Sequence, residues 1–171
     1  KGNDYIIRSE NDEFSISNSH IEFLDITADK SCGGIEITKV GNHKIISTEF
    51  IKTIQRSIQY NQQTRKQGVN EMEISNCIFD GCSGEGSHRV FNLKIPYHKL
   101  TFENNTIQNT QNAKYGAAIE FIGIDEFNLM SCKFINNSMY TTGGDEYSGG
   151  CGLWICRNER ISYYRQLIQI N

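Results

Sequence analysis

The segment Leu129-Met-Ser-Cys-Lys-Phe-Ile-Asn-Asn137 carries the pattern that organises the whole 171-residue chain. In it an apolar residue is followed five positions later by a large apolar one, with small polar residues between. The phrase recurs as Ile16 to Ile21, Ile45 to Phe50, Ile74 to Phe79 and Phe102 to Ile107, at steps of 29, 29, 28 and 27 residues. A repeat of that length is a unit that buries its apolar face by stacking on its neighbours.

Aligning the five copies on their first apolar residue (Ile16, Ile45, Ile74, Phe102, Leu129) gives columns of uniform character. Two residues earlier stand Phe14, His43, Met72, Leu100 and Phe127, and between the two columns lie the polar Ser15, Lys44, Glu73, Thr101 and Asn128. That alternation has period two, with one face of a strand in and the other out. Two positions beyond the first apolar residue come the turn formers Asn18, Ser47, Asn76, Asn104 and Ser131. The small residues Ser19, Thr48, Cys77, Asn105 and Cys132 follow.

A second strand follows in most copies, as Ile35 and Ile37, Phe91 and Leu93, Ile119 and Phe121, and Leu153 and Ile155, with Ile58 and Tyr60 as a weaker version. Glycines introduce it at Gly33-Gly34, Gly116 and Gly149-Gly150. The fifth copy holds an insertion over 139–150, and a sixth places Ile161, Tyr163 and Ile168 in the three apolar columns.

Helical repeats would space their apolar residues by three and four. Here the spacing is two, and the composition (17 Asn, 15 Gly, one Pro, abundant Ile) favours strands joined by polar turns. The expected fold is all-β: a single right-handed parallel β-helix, a solenoid over residues 1–171 with five to six rungs of about 28 residues, itself a segment of a longer solenoid. Rungs would stack ~4.8 Å apart. Glu71, Lys99 and Glu126 would then share a column of alternating charge.

The pattern resembles the right-handed parallel β-helix proteins of the pectate-lyase-like superfamily. More narrowly it resembles the repeats of polymorphic outer-membrane proteins, marked by Phe-x-x-Asn and Gly-Gly-Ala-Ile. Phe102-Glu-Asn-Asn105 and Phe134-Ile-Asn-Asn137 match the first motif, Gly116-Ala-Ala-Ile119 nearly matches the second, and Gly33-Gly34-Ile35 matches it loosely. The two Phe-x-x-Asn matches start in different columns, and Phe79 is followed by Asp-Gly-Cys, a departure from that family. The resemblance covers residues 12–156 and implies a surface or secreted repeat protein used in adhesion or display, with no catalytic residues to transfer.

Net charge is −3 with the signs interspersed, which argues against nucleic acid as a partner. No apolar run approaches the roughly 20 residues of a membrane helix. A carbohydrate-active β-helix would need two carboxylates roughly 5–10 Å apart, from the same or neighbouring rungs. Glu22 and Asp80 share a column with Ile51 between them; Glu36 and Glu120 share another, three rungs apart; Glu13, Glu71 and Glu126 alternate with Asn42 and Lys99. No column offers adjacent carboxylates, which leaves pairs across columns such as Glu22 with Glu49. Accordingly no catalytic residue, metal ligand or cofactor is assigned. His43 belongs to an inward column, and His20 stands alone.

Ligand-binding candidates are Tyr140, Asp145, Glu146 and Tyr147 in the Gly-rich insertion, with Trp154 pointing outward nearby. Aromatic rings and carboxylates together bind sugars, and a loop interrupting a regular scaffold is a common seat of function; the alternative is a loop that covers the side of the coil. The stretch Ser87-His-Arg89 with Lys94, Tyr97, His98 and Lys99 is locally basic, either an anion- or glycan-binding strip or a solvated face. Cys77-x4-Cys82 and Cys151-x4-Cys156 are not zinc spacings. Cys77 and Cys132 share a column two rungs apart, beyond the roughly 7 Å that a disulfide spans, so most cysteines are expected to be small core thiols. Glycosylation sequons fall at Asn104 and Asn136.

The expectation for function is a non-enzymatic structural or adhesive repeat protein, extracellular or at a cell surface. A fragment of a carbohydrate-active enzyme, and an intracellular scaffold, cytoskeletal or assembly component, stay open beside it. Its partners would be other proteins or glycans, met through the side or ends of the coil. The exposed strand edges at the ends call for further rungs or a partner.

Overall fold

Alternating burial runs through each copy of the phrase. In Lys99–Glu103, for example, Leu100 and Phe102 are buried while Lys99, Thr101 and Glu103 are not. The computed structural model describes residues 4–22, 32–39, 41–53, 57–60, 70–84, 91–93, 98–112, 119–122, 124–139, 153–156, 160–162 and 169–170. Among them there is no helix, and the described chain is all-β.

The chain runs through the same set of strands six times. The first pass is β1 (Asp4–Ser9), β2 (Glu13–Ser17) and β3 (His20–Glu22). The second is β4 (Cys32–Ile37), β5 (Asn42–Ile46) and β6 (Glu49–Ile51). The third is β7 (Ile58–Tyr60), β8 (Glu71–Ser75), β9 (Ile78–Asp80) and the two-residue β10 (Ser83–Gly84). The fourth is β11 (Phe91–Leu93), β12 (Lys99–Glu103), β13 (Thr106–Gln108) and β14 (Gln111–Asn112). The fifth is β15 (Ile119–Ile122), β16 (Glu126–Met130), β17 (Lys133–Ile135) and β18 (Ser138–Met139). The sixth is β19 (Leu153–Cys156), β20 (Arg160–Ser162) and β21 (Gln169–Ile170).

Each pass adds one strand to each of three six-stranded sheets, ordered β1-β4-β7-β11-β15-β19, β2-β5-β8-β12-β16-β20 and β3-β6-β9-β13-β17-β21, and β10-β14-β18 form a small fourth. All strand pairings are parallel. The register matches the sequence columns: Ile16, Ile45, Ile74, Phe102 and Leu129 are successive partners. So are Ile21, Phe50, Phe79, Ile107 and Phe134. The weak copy, Ile58 and Tyr60, pairs with Ile35 and Ile37.

Three features depart from the sequence reading. Strand β1 precedes the first phrase and pairs Ile7 with Ile35. In the sixth pass Ile161 stands opposite Phe127 as expected, but Ile170 faces Phe134 in place of Ile168. Ile170 follows Ile161 by nine residues, whereas Phe134 follows Phe127 by seven, so the constant spacing fails there. Tyr163 and Ile168 lie outside the described residues. Third, the second to fifth passes each contain a shorter repeat of five. Asn18, Ser47, Asn76, Asn104 and Ser131 take φ of 49° to 55°, and so, five residues on, do Lys52 (53°), Asn109 (54°) and Asn136 (50°), with Gly81 at 61°. Each is a bend between sheets, in a region that costs an ordinary side chain roughly 1–2 kcal/mol and that Asn and Gly tolerate best.

The bends turn the apolar columns onto one another. Ile45, Phe50, Ile74, Phe79, Phe102, Ile107 and Phe127 are wholly buried. The Phe50 and Phe79 rings stack with centroids 4.8 Å apart and planes 9° from parallel, the spacing of adjacent strands. Gly41 occupies the bend before β5, where a Cβ would lie 1.7 Å from the Asp12 carbonyl oxygen, so only glycine fits. Replacing Phe79 with alanine empties the middle of the aromatic column and is expected to cost about 3–5 kcal/mol, read as a lower midpoint in urea with cooperative unfolding retained.

Candidate functional site

At seven of the nine described bends the small side chain that follows meets a backbone carbonyl. Ser19 Oγ donates to Ser17 O (3.0 Å), Thr48 Oγ1 to Ile46 O (3.1 Å), Cys77 Sγ to Ser75 O (3.3 Å) and Cys132 Sγ to Met130 O (3.2 Å). The same column also reaches the preceding pass, Cys77 Sγ to Ile45 O (3.4 Å) and Cys132 Sγ to Phe102 O (3.5 Å). Asn105 does so most fully, since its Nδ2 donates to Ile74 O (2.8 Å) while its Oδ1 accepts from Cys77 N (2.8 Å). Five residues on, Asn137 repeats that geometry: Nδ2 donates to Ile107 O (3.0 Å) and Oδ1 accepts from Thr110 N (3.1 Å). The two Phe-x-x-Asn motifs therefore occupy equivalent bends, although they start in different columns.

Cys77, Cys82 and Cys132 are buried and free. Burial pushes the thiols of Cys77 and Cys132 up to about 11 and raises that of Cys82 as well. They act as neutral hydrogen-bond donors in place of Ser or Thr.

On the outer surface, polar side chains pair from one pass to the next. Lys44 lies 3.6 Å from Glu73, Lys99 lies 3.8 Å from Glu126, and His98 Nδ1 lies 3.3 Å from Asp125 Oδ2. The predicted charge column is present, and Arg160 joins it opposite Glu126. His20, read as standing alone, is the register partner of Glu49 on β3 and β6. The His20 ring sits between Glu49 (Nδ1 to Oε2, 3.0 Å) and Glu22 (Nε2 to Oε2, 3.3 Å). The hydrogen bonds to Glu49 and then Glu22 raise its pKa. The clue in the sequence is their shared position, four residues after Ile16 and Ile45. Both carboxylates address one exposed imidazole, which makes an ion triad on an open surface.

Tyr140, Asp145, Glu146 and Tyr147 lie outside the described residues, as do Ser87, Arg89, Lys94 and Tyr97. Trp154 is placed by its backbone, paired with Glu120. Asn104 and Asn136 are exposed, and each amide is already a donor, to Asn76 Oδ1 (2.7 Å) and Asn109 Oδ1 (2.9 Å). A concavity of about 350 Å³ lies over Asn42, His43, Lys44, Glu71 and Glu73. Among the described residues no group of three His, Cys, Asp or Glu side chains is placed to hold a metal, and no helix is long and apolar enough to cross a membrane. No protein-family model, curated protein or solved structure matches the chain.

Asn105→Ala would strand a buried N–H and a buried carbonyl, at about 1–3 kcal/mol each. Asn104→Gly, one residue away at an exposed bend, should stay within about 0.5 kcal/mol of the parent. Urea melts of the two variants give the comparison. His43 is buried, and burial lowers its pKa below 6.5, partly offset by the Asn11 carbonyl (3.3 Å). Its neutral form therefore adds stability above pH 6.5 that is lost as pH falls through the lowered native value, because the unfolded chain takes up the proton first. Between pH 7 and 5, His43→Met should lose less stability than the parent, measured by denaturant midpoints at each pH.

Proposed function

We propose that the chain is a right-handed parallel β-helix, a solenoid of six rungs, that serves as a non-enzymatic structural or adhesive repeat protein of a cell surface or secreted type. The observation that carries this reading is the register, which runs through six successive passes in three sheets. The right hand follows from the strong preference of parallel crossover connections within a sheet. The equivalent bends of Phe102-x-x-Asn105 and Phe134-x-x-Asn137 support kinship with the pectate-lyase-like superfamily and with polymorphic outer-membrane-protein repeats. Among the described residues, His20, Lys44, His98, Lys99, Asn104, Gln108 and Asn136 bond polar side chains one pass away, as a load-carrying rod requires and a catalytic cleft does not. The free thiols of Cys77, Cys82 and Cys132 favour a second reading, an intracellular scaffold, since disulfides mark oxidising compartments.

Incubated with acidic and neutral polysaccharides, the protein should release neither new reducing ends nor unsaturated products. Release that disappears in Glu22→Gln or Glu49→Gln would overturn the structural role in favour of a carbohydrate-active enzyme. Non-reducing mass spectrometry of all six cysteines separates the compartments, because a disulfide among the remaining three supports secretion and six free thiols support the scaffold.

A further inference from the structure

We infer that the concavity over β5 and β8 binds a basic side chain of a partner protein, an arginine held by Glu71; the inference rests on the adhesive reading above. The concavity measures about 350 Å³ and is lined by Asn42, His43, Lys44, Glu71 and Glu73. That volume falls at the small end of the ~300–1,000 Å³ of ligand pockets. Its floor is a pair of neighbouring strands. Asn42 and Lys44 alternate along β5, and Glu71 and Glu73 along β8, so all four stand on the outer face, with Lys44 opposite Glu73. His43, between the first two, is buried.

The cations around Glu71 are committed elsewhere. Lys44 Nζ lies 3.6 Å from Glu73 Oε2, and Glu73 Oε1 accepts from Ser75 Oγ (3.0 Å). Lys99 is the register partner of Glu71, yet its ammonium lies 3.8 Å from Glu126. Among the described residues the exposed Glu71 carboxylate thus has neither a hydrogen bond nor an ion pair. Asn42 Oδ1 accepts from Glu71 N (3.2 Å), which leaves Asn42 Nδ2 unspent beside that carboxylate. At neutral pH Lys44, Glu71 and Glu73 sum to a charge of −1. A fitting occupant therefore brings a cation for Glu71 and a hydrogen-bond acceptor for Asn42. An arginine in an extended peptide has both. Its planar guanidinium matches the two carboxylate oxygens, and a backbone carbonyl lies within reach of the amide. A sugar fits less well, because no exposed aromatic ring is among the lining residues.

The test is an NMR titration of the isotope-labelled 171-residue chain with the peptide acetyl-Gly-Arg-Gly-amide and with its citrulline counterpart, which keeps the shape and lacks the charge. The arginine peptide should shift the amide signals of Asn42, Lys44, Glu71 and Glu73 saturably, and the citrulline peptide should not. Glu71→Gln should weaken binding roughly three- to fivefold, the effect of one exposed ion pair. Lys44→Gln removes the competing cation and should tighten binding roughly twofold, a gain that damage to the fold would not produce. Glu103→Gln, an exposed acid on β12 outside the concavity, should leave binding unchanged. Unshifted signals, an equal response to both peptides, or equal losses in Glu71→Gln and Glu103→Gln overturn the site. Saturable shifts of the same amides by neutral or amino-sugar oligosaccharides, with the arginine peptide silent, overturn it too. Each of these outcomes leaves the adhesive reading standing, since that reading falls to the polysaccharide assay instead.

Discussion

The hydrogen bond from the small residue after a bend to a carbonyl of the preceding pass, made at five of the nine described bends, is the constraint on which the stack depends. A bend takes the backbone out of the plane of its sheet and leaves a buried carbonyl where the ladder turns. An unsatisfied buried group costs about 1–3 kcal/mol, and a small domain is stable by only 5–15. Five such bonds are made by Cys77, Cys82, Asn105, Cys132 and Asn137. Left unmade together, they would consume a large part of that margin. The column must therefore hold a donor short enough to stay inside, which admits Ser, Thr, Cys and Asn and excludes apolar residues.

The same constraint explains the outer partner of each donor. The residue just before it has positive φ, and where that residue is Asn it is exposed; Asn104 and Asn136 donate to the Asn one pass away, and Asn109 donates to Asp80. Two adjacent asparagines such as Asn104 and Asn105 thus do opposite work. One relaxes the backbone at the surface, and the other satisfies it in the core.

The apolar columns were legible in the sequence because a strand buried on one face must alternate, and stacking places like residues at a fixed interval. The register of Ile16 through Leu129 follows from that alone. What escaped had a different physical origin. Strand β1 has no phrase of its own and is held by its partner β4. The five-residue inner repeat was hidden because its second bend mixes Lys52, Gly81, Asn109 and Asn136, residues united only by their backbone angle. Cys77-x4-Cys82 is one trace of it: the two thiols sit at successive bends, so their spacing reflects geometry and carries no metal chemistry. His20 escaped because its meaning depends on Glu49, 29 residues away but one strand across.

Pairing from pass to pass also decides where function can reside. Along the described sides, Lys44, His98, Lys99 and Asn104 find their partners one pass away, so those surfaces are closed to a ligand unless it displaces a bond already made.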